Sequence, residues 1–191
     1  MSQGHATACK NFKKRAAVRC IQLASGLLAL ACTVMLPLVS GSALAQTGSA
    51  TGLRIPRYVS LKSDRVNLRE GPSKDHRTSW IFQRAGLPVE VTAEFETWRR
   101  IRDSEGSEGW VLQSLLSGKK TALVAPWRRG EMFALYGKPQ DTADRVAKLQ
   151  TGVLATVRKC DPVWCRISGE GYDGYIQKTL LWGVYPEDVF E

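Results

Sequence analysis

The sequence predicts an all-β protein, two tandem copies of one small five-stranded barrel behind a cleaved leader. Three observations predict it: an internal repeat of steady register, short β-like runs between Gly-containing polar turns, and a basic, then apolar N-terminus ending in a small-residue motif.

Lys10, Lys13, Lys14, Arg15 and Arg19 precede an apolar run over 21–39 that Thr33 and Pro37 interrupt, and small residues then lead to Ala43-Leu44-Ala45. This is the layout of a secretory signal peptide over 1–45, cut between Ala45 and Gln46. The run is barely long enough to span a bilayer, and the A-x-A site after it argues against a retained helix. Cys32 lies inside the run and lacks the Leu-small-small order of a lipid-attachment site. The expectation is a periplasmic or secreted protein with no stable membrane insertion after cleavage. The leader carries five basic and no acidic residues, so its removal leaves +4 of the formal +9. So small an excess gives no reason to invoke nucleic acid; it suits solubility, or mild attraction to anionic wall polymer or lipid head groups.

After a linker over 46–57 the chain repeats itself. A shift of 66 pairs Gly71 with Gly137, Asp75 with Asp141, Gly86 with Gly152, Val91 with Val157, Trp98 with Trp164, Arg100 with Arg166 and Ile101 with Ile167. Once one residue is dropped near Arg102, a shift of 65 pairs Gly109 with Gly174, Trp110 with Tyr175, Val111 with Ile176 and Leu115 with Leu180. The units are placed at 58–125 and 133–185, with a second linker over 126–132, where Pro126-Trp127-Arg128-Arg129-Gly130 is rich in turn formers, and a tail over 186–191. Within the first unit, residues 87–92, 98–102 and 109–112 have β-branched and aromatic character between polar turns. No stretch has the period or length of an amphipathic helix; single turns are expected near 113–116 and 178–181.

Cys160 and Cys165 are the cysteines left after the leader. In an oxidising compartment they read as one disulfide, closed across the Asp161-Pro162 turn between β-like runs at 154–159 and 164–168. So short a loop contributes about 2 kcal/mol in the chain-entropy model. The alternative, a thiol-exchange pair, normally needs the tighter C-x-x-C spacing and a lowered thiol pKa. The repeat puts Glu94 and Arg99 opposite these cysteines, so an ion pair is expected to close the same hairpin in the first unit. As an exposed pair it would contribute less than about 1 kcal/mol, making the second unit more dependent on its bridge than the first on its ion pair.

The motifs Val66-Asn67-Leu68-Arg69-Glu70-Gly71-Pro72-Ser73, Gly-Leu-Pro-Val-Glu-Val over 86–91, Trp98-Arg99-Arg100-Ile101, Glu108-Gly109-Trp110-Val111 and Leu115-Leu116 resemble the bacterial SH3-like domain from end to end. The second unit is similar to a diverged copy. Its signature has become Phe133-Ala134-Leu135-Tyr136-Gly137-Lys138, while Trp164-Cys165-Arg166-Ile167 and Gly174-Tyr175-Ile176 keep the later pattern. The resemblance implies a non-catalytic module of cell-envelope proteins that binds a cell-wall peptide or an envelope protein. It also implies that Trp98 and Trp110 of the first unit, and Trp164 and Tyr175 of the second, lie near a groove between loops, with Arg100 and Arg166 beside them as candidate carboxylate ligands. Rings that simply close a small barrel are the other reading.

No catalytic constellation is legible. His76 is the one histidine outside the leader and has no free cysteine near it in sequence, and no G-x-S-x-G elbow is present. Asp103, Glu105 and Glu108, echoed by Glu170 and Asp173, sit on Gly-rich turns without EF-hand spacing and read as polar hairpin tips. One histidine and a paired cysteine couple are too few for zinc, so no metal or cofactor is expected. Three classes remain: a binding module for wall peptide or an envelope protein, a structural part of an envelope assembly, and a thiol-redox protein using Cys160 and Cys165.

Overall fold

The computed structural model describes residues 46–191; the leader, up to its expected cleavage site at Ala45, lies outside the described residues. Nearly all the regular secondary structure is strand, and among the described residues no helix is long and apolar enough to cross a membrane. Gln46–Thr47 (β1) and Arg54–Ile55 (β2) pair as a small hairpin. The first barrel comprises Arg57–Leu61 (β3), Val66–Arg69 (β4), Thr78–Phe82 (β5), Pro88–Phe95 (β6), Trp98–Arg102 (β7), Glu108–Leu112 (β8) and Leu116–Ser117 (β9). The second comprises Thr121–Val124 (β10), Met132–Tyr136 (β11), Arg145–Gln150 (β12), Leu154–Cys160 (β13), Trp164–Gly169 (β14), Tyr172–Gln177 (β15) and Leu181–Trp182 (β16). The sheet orders are the same, β5-β4-β8-β7-β6-β3-β9 and β12-β11-β15-β14-β13-β10-β16, and single 3-10 turns stand at Gln113–Leu115 and Lys178–Leu180. Seven strands rather than five enter each sheet, because the polar stretch after the signature forms a strand of its own and the chain after the 3-10 turn returns as a two-residue strand.

Strand alternation supplies the two cores. Val66, Leu68, Val89, Val91, Ile101 and Val111 are fully buried in the first; Leu135, Ile167 and Ile176, with Phe133, Leu149 and Val157, fill the second. The repeated Gly86 and Gly152 take φ of 79° and 76°, a conformation that favours glycine, and each N–H donates to the strand that opens its barrel, to Leu61 O and Val124 O at 2.7 Å.

These two bonds correct the domain boundary. Leu61 and Val124 are equivalent, so Thr121–Val124, assigned by sequence to the first unit, is the first strand of the second, pairing with β13 and β16. The Pro126–Gly130 stretch is a loop inside that barrel, four residues longer than its counterpart, and this insertion hides the repeat of the opening strand. The register also slips by one earlier in the unit. Arg69 faces Trp110 as Tyr136 faces Tyr175, and a Cβ on Gly109 would meet Leu68 and the Arg69 carbonyl as one on Gly174 would meet Leu135 and the Tyr136 carbonyl. The shift here is therefore 67, and Pro72, not Gly71 with Gly137, anchors the match, at Pro139.

The segment 46–57, expected to be a linker, is part of the first barrel. Ile55 enters its core, and the β1–β2 turn caps Glu94. The Glu94 carboxylate accepts from Ala50 N (3.0 Å), Thr51 N (2.9 Å), Thr51 Oγ1 (2.7 Å) and Arg57 Nη2 (2.6 Å), and Arg99 Nε stands 3.4 Å away. Gly48 lies so close over the carboxylate that a Cβ there would overlap it. The Glu94–Arg99 pair is consequently buried, not exposed: both side chains are within 2% of full burial. Arg99 is also held by the carbonyls of Glu96 (2.9 Å) and Trp98 (2.7 Å) and by Gln113 Oε1.

Burial pushes the Glu94 carboxyl pKa up, but hydrogen bonds from Thr51, Arg57 and Ala50 outweigh it and hold the group at about 2, against an ordinary 4.5. Because the folded value lies below the unfolded one, this stabilisation is complete above the unfolded pKa and is lost as pH falls toward 2. Denaturant midpoints measured from pH 5 down to about 2 should fall steeply for the native chain, and less steeply for Glu94→Gln.

The barrels share an interface. Tyr58 of β3 packs edge-on against Trp182 (centroids 5.3 Å) and in a tilted stack against Tyr185 (4.6 Å), and the Tyr185 hydroxyl donates to Glu90 Oε1 at 2.7 Å. Arg102 Nε donates to the other oxygen of buried Glu90 at 2.9 Å. Burial first, then the Glu90 charge at Tyr58 and the hydrogen bond to Glu90 at Tyr185, pushes the pKa of both hydroxyls well above the usual range. Thr121 Oγ1 completes the join by donating to Gly86 O at 2.7 Å.

Candidate functional site

Alternation on β4 turns Val66 and Leu68 into the core and Asn67 and Arg69 to the opposite face. That outer face, with Arg65, Lys74, Trp98, Leu112 and Leu115, lines a groove of about 270 Å³. Trp98, nearly buried, forms part of the apolar lining with the two leucines. Three cations and no carboxylate line the groove. Arg69 is positioned by a bond from Nη1 to His76 O at 2.7 Å, and the His76 ring lies where a Cβ on Gly71 would be, which accounts for glycine in the signature. Asn67 lines the groove, and its Oδ1 is buried with no partner among the described residues.

In the second barrel the equivalent positions have closed on themselves. Tyr136 stands where Arg69 does, and its ring meets Trp164 edge-on at 5.6 Å. Gln177 replaces Leu112 and Asp141 replaces Lys74, and Gln177 Nε2 donates to Asp141 Oδ1 at 3.0 Å. Ala134 and Met132 replace Asn67 and Arg65. Beside Trp164 only a hollow of about 140 Å³ remains, shared with Tyr175, Pro139 and the C-terminal Val189 and Phe190.

Of the six candidates named from sequence, Trp98 alone lies in the open groove. Trp110 is half-buried on β8, opposite Arg69 and Arg100 in register, and does not line it. Arg100 pairs with Glu108 at 2.7 Å and Arg166 with Asp173 at 2.7 Å, the same exposed ion pair in both barrels. Trp164 and Tyr175 border the small hollow beneath the tail. Arg65, Asn67, Arg69 and Lys74 also line the groove and are not among the candidates named from sequence. The signal was available, since period-two alternation across the signature assigns Asn67 and Arg69 to one face.

Cys160 and Cys165 are cross-strand neighbours joined by a disulfide, with Cα atoms 4.1 Å apart, at the register position Glu94 and Arg99 occupy in the first barrel. Three of the five turn carboxylates are bonded locally: Asp103 Oδ1 accepts from Glu105 N and Ser107 N at 2.9 and 2.8 Å, and Glu108 and Asp173 hold the arginines. Among the described residues no group of three His, Cys, Asp or Glu side chains is placed to hold a metal ion.

The sequence matches none of the curated proteins. Among solved structures, NlpC1 and NlpC2 from Trichomonas vaginalis are similar at 16% and 14% identity and a TM-score of 0.30 each, over 72% and 66% of this chain. The chain spans about half of each, 48%, and similarity at that level says nothing about activity. The bacterial SH3 domain family matches residues 62–118 and again 129–183, together more than half the sequence and in step with the two sheets. The chain belongs to the bacterial SH3 domain family, whose domain it carries twice in tandem.

Proposed function

We infer that this is an exported, non-catalytic binding protein of the cell envelope, and that its first barrel recognises an extended, carboxylate-bearing wall peptide while the second serves as a scaffold. The observation that carries this reading is the groove itself, an apolar Trp98 wall with Arg65, Arg69 and Lys74 and no acidic residue in its lining. Guanidinium groups bind carboxylates by paired, charge-assisted bonds. Each retained contact to a charged group is worth about 1.5–3 kcal/mol, enough for a weak but specific site.

Co-sedimentation of the purified chain with insoluble peptidoglycan sacculi tests it. Arg65→Ala with Lys74→Ala is expected to weaken retention by at least about tenfold, and added salt to weaken it further, whereas Trp164→Ala leaves it unchanged. Equal retention of the double variant would remove the groove from the mechanism.

A second reading, an assembly component, draws on one other surface. Exposed Trp127 and Val163 border an apolar hollow of about 460 Å³ with Trp182, Val184 and Pro186. Trp127→Glu should abolish co-purification of an envelope protein on this reading and leave sacculus binding intact.

A further inference from the structure

We propose that the cleft between the two barrels is a second binding site, for an uncharged oligosaccharide. The cleft has a volume of about 470 Å³, within the range of small-ligand sites, and takes one wall from each barrel. Trp80 stands in it on β5 with 60% of its surface exposed, and its strand neighbour Phe82 is buried in the core below. An indole of this size held in the open is a flat apolar platform, matched in shape by the C–H face of a pyranose ring.

The charge around it distinguishes this site from the groove. The groove presents cations alone, whereas the cleft sets Arg84 and Arg129, one from each barrel, against Asp103 and Glu105. A balanced set of that kind gives a net anion or cation no advantage, and it gives a polyhydroxyl ligand both strong donors and strong acceptors. Asp103 Oδ1 is committed to its own turn, which fixes the carboxylate and leaves Oδ2 to accept from a hydroxyl. The Thr151 side chain, also lining the cleft, is fixed by donating to Ala125 O at 2.6 Å.

The walls are preformed. The Thr121–Gly86 and Tyr185–Glu90 bonds tie the barrels together, so a ligand bridging the cleft does not have to order them. The site does not depend on the anionic-peptide reading of the groove, because the two share no residue.

The test is a titration of the purified chain with chitotetraose, followed by amide chemical shifts. Saturable shifts are expected around Trp80 and Arg129, with affinity reduced about tenfold in Trp80→Ala and unchanged in the Arg65→Ala, Lys74→Ala variant. Trp80 is exposed, so the variant should keep the native near-UV spectrum and denaturant midpoint. Absence of saturable shifts up to about 10 mM, or full affinity in a folded Trp80→Ala, overturns the proposal. Loss of sugar binding only in the groove variant would also overturn it, by moving the ligand to the other site.

Discussion

Arg99→Ala is expected to destabilise the first barrel by about 3–5 kcal/mol, the largest single-residue effect anticipated in the molecule. Arg99 is among the largest fully buried side chains, and removing it leaves a cavity and a buried Glu94 with one fewer counter-charge. The carboxylate also loses room to compensate, because Gly48 and the 49–51 turn enclose its other side. The equivalent break in the second barrel, Cys160→Ser with Cys165→Ser, opens a six-residue loop and should cost only about 2 kcal/mol. The comparison is made by hydrogen exchange, reading protection of β6–β7 in one variant and β13–β14 in the other. This reverses the order expected from sequence. The repeat correctly set an ion pair opposite the disulfide, but it carried no sign that the N-terminal hairpin would fold over that pair and take it out of water.

Deleting residues 186–191 should have the second-largest effect, about 3 kcal/mol on the second barrel. Lys178 is buried, and its ammonium donates to the carbonyls of Pro186 (3.1 Å) and Asp188 (2.7 Å). Phe190 pairs with Cys160 through two backbone bonds of 2.8 and 3.0 Å and packs against the core. Truncation strands a buried charge and strips an apolar cover, whereas Lys178→Met in the shortened chain should recover part of the loss. The expected readout is reduced amide protection in β13–β15, with the first barrel unchanged.

Both segments that sequence reasoning set outside the domains, 46–57 and 186–191, are thus structural. The reason is the same at each end. Short pieces with Gly or Pro have no period of their own, and each is ordered by the barrel it packs on, through a buried charge it satisfies, Glu94 or Lys178, and an apolar side chain it brings to the core, Ile55 or Phe190. What was legible was what repeats, namely the paired strands, the glycines at 86 and 152 and the two 3-10 turns, together with the cross-strand cysteines that their spacing marks. The proposed binding face was only half legible. Trp98 stood out as a large ring, while the cations around it are dispersed over residues 65–74 and converge only when β4 and the loop after it fold against β8. Divergence of the second groove was visible as a lost signature, though the closure by Tyr136 and Asp141 depends on a register one residue away from the simplest alignment.

The open cationic groove of the first barrel and the closed one of the second should respond differently to a soluble wall peptide with free carboxylates, added to the isotopically labelled chain while the amide shifts are mapped. Shifts confined to Arg65, Asn67, Arg69, Lys74 and Trp98, and abolished by Arg65→Ala with Lys74→Ala, are the expected result. Equal or larger shifts around Tyr136, Trp164 and Tyr175 would contradict it, because they would show that the second barrel opens to the same ligand.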